Sequence, residues 1–216
     1  QNPVGRVHTA QELTAIAKLA KQHSVLVIAD EIHAPLSWVP FTPYLSLGTE
    51  AEETGVVITS SSKAWNTAGL KAGFLITQSE AARKQLSGLP EAMNWRASLL
   101  GAHAMVASYK AGTTWLDQTV QQIQENLDHL QQEITQSLPE AKVFAMEATY
   151  LAWVDLSDYG VEDLQGEILR EARVGVVAGS DHAPTGEYAS FIRFNFATSK
   201  ARISEAVSRI AALLEG

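Results

Sequence analysis

Two short apolar runs, each followed by a charged side chain, constrain the fold of this chain most strongly. Val25–Ala29 leads to Asp30, and Val56–Ile58 leads through a serine-rich turn to Lys63. Short runs rich in β-branched residues are typical of strands that are buried in a parallel sheet. Ligands gather beyond the carboxyl ends of such strands. We therefore expect Asp30 and Lys63 to lie at the functional edge of a sheet.

Helical and strand patterns alternate through the first half of the chain. Thr9 and Glu12 form a capping box, which predicts a helix from there to about His23. The remaining predictions for this half are strands at 25–29, 55–59 and 74–77, a short helix capped by Ser79, and a more apolar helix over about 97–110. This alternation predicts part of an α/β layered sheet.

The pattern changes near residue 113, where we place a domain boundary. Apolar residues recur at three- and four-residue spacing from Thr114 to Leu138, which predicts a long amphipathic helix that ends at Pro139. The expected elements after it are an extended run over 143–156, a helix over about 161–173, a strand over 191–196 and a final helix over 200–214.

Composition excludes several classes of function. The 216 residues carry a formal net charge of -8, and the 16 basic residues are scattered, so a nucleic-acid surface is not expected. Apolar runs of about five or six residues are too short to span a membrane. The absence of cysteine excludes disulfides, thiol catalysis and cysteine-ligated metal, and it fits a reducing, cytoplasmic setting.

The lysine and the aspartate fit the requirements of pyridoxal phosphate (PLP) chemistry. A lysine carries this cofactor as a Schiff base, and a carboxylate keeps its pyridine nitrogen protonated. Taken alone, Asp30 fits a turn cap equally well, and Lys63 fits a surface lysine. Ser60 to Lys63 also matches the Ser-x-x-Lys motif of penicillin-recognising enzymes, but that motif should open a helix and be joined by Lys-Thr-Gly, which this sequence lacks.

Three further features are ambiguous when each is taken alone. The segment from Asn2 to Gly5 has the sequence pattern of a type I turn. Asp30 to His33 contains possible metal ligands, but no second cluster completes a site, so no metal is expected. Arg193 lies on a phenylalanine-rich strand. It could bind a substrate carboxylate or form an internal salt bridge, because an unpaired buried arginine is costly.

The order of these features is specific, although each one alone is modest. Asn-Pro-x-Gly, Asp-Glu-Ile-His after a strand, Ser-x-x-Lys after a strand and a late arginine strand together resemble the fold-type I PLP enzymes. Within these, the chain resembles the class I/II aminotransferases, and in particular their branch of cystathionine β-lyases and related C–S lyases. Gly5 to Val7 and Tyr150 to Trp153 also contribute to the resemblance.

The resemblance implies a role for each matched residue. Lys63 would be the Schiff-base lysine and Asp30 the partner of the pyridine nitrogen. Asn2 would bind the 3-oxygen of the cofactor, and Arg193 would bind the substrate α-carboxylate. His33 stands where typical aminotransferases have tyrosine, which favours the lyase branch. The matches to phosphate-contacting positions are Ser60 and Lys71, although many relatives have arginine in place of Lys71.

The resemblance also implies an organisation and an activity. Residues 1–112 would be the C-terminal half of the PLP-binding large domain, 113–140 a bridging helix, and 141–216 the small domain of a homodimer. The expected activity is β-elimination on cystathionine or a related sulfur amino acid. The alternatives are an aminotransferase and a non-catalytic sensor module of a regulator. We expect the chain to be a C-terminal fragment that is inactive alone. The segment from Gly179 to Pro184 departs from the family's phenylalanine-glycine loop.

Overall fold

The computed structural model describes residues 1–161, 163–183 and 185–216, and it does not describe the side chain of Asn94. The chain forms two compact units. One comprises Val7–Gln118, and the other comprises Thr119–Gly216 together with the N-terminal segment Gln1–Arg6. The division therefore falls inside the long helix that begins near residue 113. The assignment of residues 1–112 to a large domain stays a prediction.

The unit Val7–Gln118 is an α/β layer structure built on a mixed sheet. Its helices are α1 (Ala10–Gln22), α2 (Thr49–Thr54), α3 (Glu80–Ser87) and α4 (Leu99–Ala111), and its strands are β1 (Val27–Asp30), β2 (Gly55–Thr59) and β3 (Phe74–Ile76). The strand order is β1-β2-β3, with β1 parallel to β2 and β3 antiparallel to β2. Ala17, Tyr44, Ala51 and Val57 form the buried cluster between this sheet and its helices.

The predicted capping box is confirmed at the start of α1. Thr9 Oγ1 accepts a hydrogen bond from Glu12 N at 3.2 Å, and Thr9 N donates to Glu12 Oε2 at 2.9 Å. The predicted strand at 25–29 is displaced, because the exit from α1 occupies its first residues. Ser24 adopts φ +53°, and Val25 N donates to Ala20 O. The strand therefore begins at Val27, and Asp30 is its last residue.

The second unit packs helices against an antiparallel sheet. Its elements are α5 (Thr113–Ser137, which enters the unit at Thr119), β4 (Lys142–Val143), β5 (Leu151–Asp155), α6 (Leu164–Glu167), β6 (Val177–Ala178), β7 (Phe191–Asn195) and α7 (Lys200–Leu214). The strand order is β4-β5-β7-β6. Ile192 and Phe194 are buried, whereas Arg193 is half-buried and Asn195 is exposed, as the alternating pattern of this strand predicts.

Two predicted elements of this unit have other bounds in the structure. The run 143–156 is not continuous. Phe144 N still donates to Trp153 O of β5 at 3.1 Å, but the chain then leaves the sheet, and the backbone N–H groups of Glu147 and Ala148 bind the Gly5 carbonyl at 2.9 and 3.1 Å. The helix predicted over about 161–173 is present as α6 and a π-helical segment, Ile168–Ala172, that continues it, and residue 162 lies outside the described residues. Leu164, Ile168 and Ala172, which are spaced four residues apart, are buried in this segment.

Helix α5 is held by an amide as well as by its apolar stripe. Asn126 is 2% exposed and lies among buried Ile123, Leu127 and Leu130. Its Nδ2 donates to Phe196 O at 3.0 Å and to Thr198 O at 2.7 Å, where the chain leaves β7. One side chain thus satisfies two backbone acceptors. In the part of the chain that the structure describes, no helix is long and apolar enough to cross a membrane.

Replacing Asn126 by alanine should destabilise this unit. The substitution leaves Thr198 O without this donor, which costs about 1–3 kcal/mol, and removes one of two donors to Phe196 O, which costs about 1 kcal/mol because Thr198 N still donates to it at 2.8 Å. Urea denaturation of Asn126→Ala should show a loss of about 2–4 kcal/mol in the free energy of unfolding. Gln124→Ala, at an exposed position of the same helix, is the control and should change it by less than about 0.5 kcal/mol. Equal stability of the two variants would contradict this role.

Candidate active site

Asp30 ends β1 at the carboxyl edge of the sheet. It is exposed and pairs in register with Ile58 of β2. Its Oδ1 accepts a hydrogen bond from Ile32 N at 3.0 Å, which is the geometry of a turn cap. Within the described residues no hydrogen bond or ion pair involves its Oδ2. The cap orients the carboxylate and leaves one oxygen available to a ligand.

Lys63 lies in the turn that follows β2, at the same edge of the sheet as Asp30. Because β1 and β2 are parallel neighbours, their carboxyl ends meet there. The turn is closed by Trp65 N donating to Ser61 O at 3.0 Å and by Thr67 N donating to Ser62 O at 3.1 Å. The Lys63 side chain is exposed, and no ion pair engages it in the described part of the chain.

Ser60 connects this turn to the segment that contains Lys71. Its Oγ donates to Ala72 O at 2.6 Å and accepts from Ser62 N at 3.0 Å. The single hydroxyl proton is therefore used within the protein, and Ser60 is buried. Lys71 itself is exposed and adopts φ +54°. Ser60 fixes the backbone between Lys63 and Lys71, and its predicted phosphate contact stays a prediction.

Trp65 anchors the Lys63 turn to helix α4 and its C-terminal end. Its Nε1–H donates to Gly112 O at 3.0 Å, and its ring lies 4.8 Å from that of Tyr109, centroid to centroid. A Cβ at Gly112 would stand only 2.3 Å from Trp65 Nε1, so the close approach requires glycine. Neither residue was expected from the sequence, because their pairing joins positions 47 residues apart.

Two side chains next to Asp30 shape the loop after β1. His33 is half-buried and precedes a short 3₁₀ turn, Ala34–Leu36. Glu31 points back into the unit, where its Oε1 accepts from Tyr44 N at 2.8 Å. Burial raises the pKa of the Glu31 carboxyl above its usual value, and the Tyr44 hydrogen bond opposes this only in part. Glu31 therefore acts as a structural acceptor within this loop.

Asn2 and Arg193 meet in the other unit. Arg193 Nη1 donates to Asn2 Oδ1 at 2.9 Å across 191 positions of sequence. Arg193 Nε is buried and has no hydrogen-bond partner among the described residues, and no ion pair there involves this guanidinium. Among the described residues, the internal salt bridge that the sequence left open as one of two interpretations is therefore not present. The guanidinium keeps an unused donor.

The N-terminal turn that carries Asn2 differs from a type I turn. Gly5 N donates to Gln1 O at 2.8 Å, the Asn2–Pro3 peptide bond is cis, and Gly5 adopts φ +71°. A Cβ on Gly5 would stand 2.9 Å from Met146 Cε. Glycine is thus required where the segment packs against 146–148, and this packing fixes Asn2 beside Arg193.

The candidate residues form two groups, one in each unit. Asp30, His33, Ser60, Lys63 and Lys71 follow β1 and β2 or precede β3 in the unit Val7–Gln118. Asn2 and Arg193 lie in the unit formed by residues 1–6 and 119–216. Among the described residues, no group of three or more histidine, aspartate or glutamate side chains is arranged to hold a metal ion.

Comparison with known proteins identifies the family of this chain. The model of the family described as aminotransferase class I and II matches residues 1–210, and the chain belongs to this family. A candidate cystathionine β-lyase of Mycobacterium tuberculosis is 38% identical to it over 99% of this chain and 56% of that protein. The cystathionine β-lyase of Corynebacterium glutamicum is 34% identical over 99% of this chain and 57% of its own length.

Solved structures show the same fold. A structure from Corynebacterium diphtheriae, described as a candidate PLP-dependent β-cystathionase, superposes with a TM-score of 0.93 at 33% identity, covering 100% of this chain and 57% of that one. The fold is therefore part of a fold-type I fold, as the resemblance implied. The chain spans little more than half the length of these relatives. Which part it corresponds to stays a prediction.

Removing the Trp65 hydrogen bond should loosen the Lys63 turn. Trp65→Phe keeps a ring against Tyr109 but loses the donor to Gly112 O, a change of about 1 kcal/mol. Amide hydrogen exchange of Trp65 and Thr67, whose N–H groups close the turn, should become roughly fivefold faster. The control is Trp95→Phe at a ring that is 75% exposed, and it should leave both rates unchanged. Unchanged rates in Trp65→Phe would refute the anchoring role.

Proposed function

We propose that this chain carries the catalytic lysine of a PLP-dependent C–S β-lyase. The observation that carries the proposal is the shared carboxyl edge of β1 and β2, where Asp30 and the Lys63 turn lie. The lyase names of the relatives and the PLP-dependent character of their structural neighbour support it. These relatives give no support to the alternative of a non-catalytic sensor module.

The residues present fit the cofactor at the points where it needs protein partners. Lys63 has an exposed amine, which suits covalent attachment to an aldehyde. Asp30 offers an oriented carboxylate with an unused oxygen, which suits a protonated pyridine nitrogen. Lys71 offers a cation for the phosphate, and the Asn2 amide suits the 3-oxygen. His33, in the loop after Asp30, is a further proposed contact.

Each residue then has a defined task in the reaction. Bound PLP supplies a sink for the electron pair that remains when the substrate α-carbon loses its proton. Lys63 Nζ would hold the cofactor and would then take the α-proton of the substrate as a general base. Asp30 would hold the pyridine nitrogen of the cofactor in its protonated form. Arg193 binds the α-carboxylate through its unused Nε–H and thereby orients the α-carbon.

Elimination and transamination share these first steps and differ in the next bond that breaks. In elimination the C–S bond at the β-carbon breaks, and water then releases pyruvate and ammonia beside the free thiol. Transamination would leave the C–S bond intact and would need a keto acid for turnover. The family description as aminotransferase supports this second candidate. The lyase names of relatives and His33 in the usual place of tyrosine favour elimination.

Covalent attachment at Lys63 can be tested directly. Full-length protein incubated with PLP and reduced with borohydride should carry the pyridoxyl group on Lys63 in a peptide map. Lys63→Arg should abolish the label, because arginine does not condense with the aldehyde under these conditions. Lys71→Arg, which keeps the charge at the proposed phosphate contact, should retain it. A label on Lys71 in the unsubstituted protein would refute the assignment.

Elimination and transamination can be distinguished by whether turnover requires a keto acid. Full-length protein with cystathionine alone should release pyruvate, ammonia and a thiol in equal amounts over many turnovers. Lys63→Ala is the matched control and should lose at least about a thousandfold in rate, as expected for a group that acts covalently and as a base. Turnover that begins only after a keto acid is added would identify an aminotransferase.

We further propose that the functional protein is a homodimer and that residues 1–216 are inactive alone. The 56% coverage of the relatives supports the second point, since part of their cofactor site can lie outside the matched region. The test is to assay cystathionine turnover by the 216-residue chain and by full-length protein. Equal activity of the two would contradict the proposal that residues 1–216 are inactive alone.

A further inference from the structure

The segment between β6 and β7 covers the face of the sheet that carries Arg193. Arg193 pairs in register with Trp153 of β5 and with Val177 of β6, so these three side chains share one face. The segment begins as a short 3₁₀ helix, Gly179–His182. Gly179 is required there, because an added Cβ would lie 2.1 Å from Tyr188 O.

Trp153 is the centre of this covered face. It is 2% exposed and contacts three rings of the overlying segment and β7. The His182 ring lies 5.5 Å away edge-on, the Tyr188 ring 5.7 Å away edge-on, and the Phe191 ring 5.5 Å away. His182 is thus fixed by packing on the residue that neighbours Arg193 across the sheet.

His182 has a nitrogen atom that makes no hydrogen bond within the described part of the chain. Its Nε2 is buried and has no hydrogen-bond partner among the described residues, as is the case for Arg193 Nε. Burial lowers the pKa of His182, and the positive charge of Arg193 lowers it further, against a smaller opposing effect of Asp181. The imidazole is therefore neutral at neutral pH, and one of its nitrogens carries a proton.

Arg193 Nε and His182 Nε2, which both lie beside Trp153, indicate what kind of ligand could bind to them. A buried donor without an acceptor is destabilising, and native proteins contain few such atoms. Arg193 Nε can only donate, and a neutral His182 can donate from Nε2. A ligand that satisfies both atoms must supply acceptors and should be anionic beside a guanidinium. A carboxylate meets both conditions.

We propose that His182 determines substrate affinity by donating a second hydrogen bond, from Nε2, to the carboxylate that Arg193 binds. The inference rests on the proposed function in taking this carboxylate to be that of the amino-acid substrate. His182 belongs to the segment where the sequence departs from the family's phenylalanine-glycine loop. A phenylalanine at this position would retain the ring packing on Trp153 and lose the donor. The remainder of that segment includes Pro184, which lies outside the described residues.

Carboxylate binding tests the inference independently of catalysis. Propionate is titrated into cofactor-free full-length protein, and binding is followed through the imidazole carbon signals of labelled histidine. Propionate should bind, and His182→Phe should weaken binding about tenfold, the effect of one hydrogen bond to a charged group. His182→Gln, which retains an N–H donor, should recover most of the affinity. Tyr188→Phe removes a hydroxyl from a neighbouring ring and should leave it unchanged.

Kinetics of the cofactor-loaded protein supply a second readout. His182→Phe should raise KM about tenfold and change kcat less than about twofold, because a carboxylate contact is made equally in the ground and transition states. Equal propionate affinity in the unsubstituted protein, His182→Phe and His182→Gln would overturn the inference, as would the absence of propionate binding. Neither result of the propionate titration would contradict the lyase proposal, because that proposal is tested separately by cystathionine turnover without a keto acid.

Discussion

The parallel pairing of β1 with β2 is the interaction on which the candidate chemistry depends. Four residue pairs, from Val27 with Gly55 to Asp30 with Ile58, align the carboxyl ends of the two strands. A slip of one residue in β1 would turn the Asp30 side chain to the opposite face of the sheet. The buried contacts of Val57 with the cluster around Tyr44 hold the register, because they are available on one face only. Packing inside the unit thereby orients the polar groups at its edge.

The turns at this edge are rigid for reasons that lie outside the reactive residues. Asp30 is oriented by its bond to Ile32 N, and the Lys63 turn is held by Ser60 from one side and by Trp65 from the other. Lys63 itself makes none of these contacts. A side chain free of these contacts on a fixed turn suits the role proposed for Lys63, which is to bind the cofactor and to act as a base. Fixed supports around a mobile reactive group are what precise positioning requires.

The sequence predicts the elements that depend on local patterns and misses those that depend on distant partners. The β-branched runs, the capping box at Thr9 and the alternation around Arg193 were sufficient to predict strands, helix starts and the face of the arginine. The break in the run 143–156 depends on Gly5, which lies 142 and 143 positions before its two donors, Glu147 and Ala148. The close approach of Gly112 to Trp65 and the packing of His182 on Trp153 are likewise set by tertiary contacts, which residue periodicity does not record.

The return of residues 1–6 to the C-terminal unit has a consequence for how this protein forms. Asn2 and Arg193 are 191 positions apart, so their hydrogen bond closes a very long loop. Closing a loop of this length costs roughly 4–5 kcal/mol in chain entropy, before any ordering of side chains. Gly5 offsets part of this cost through its two bonds from Glu147 and Ala148. During synthesis the contact between Asn2 and Arg193 can therefore form only after the residues between them have been made.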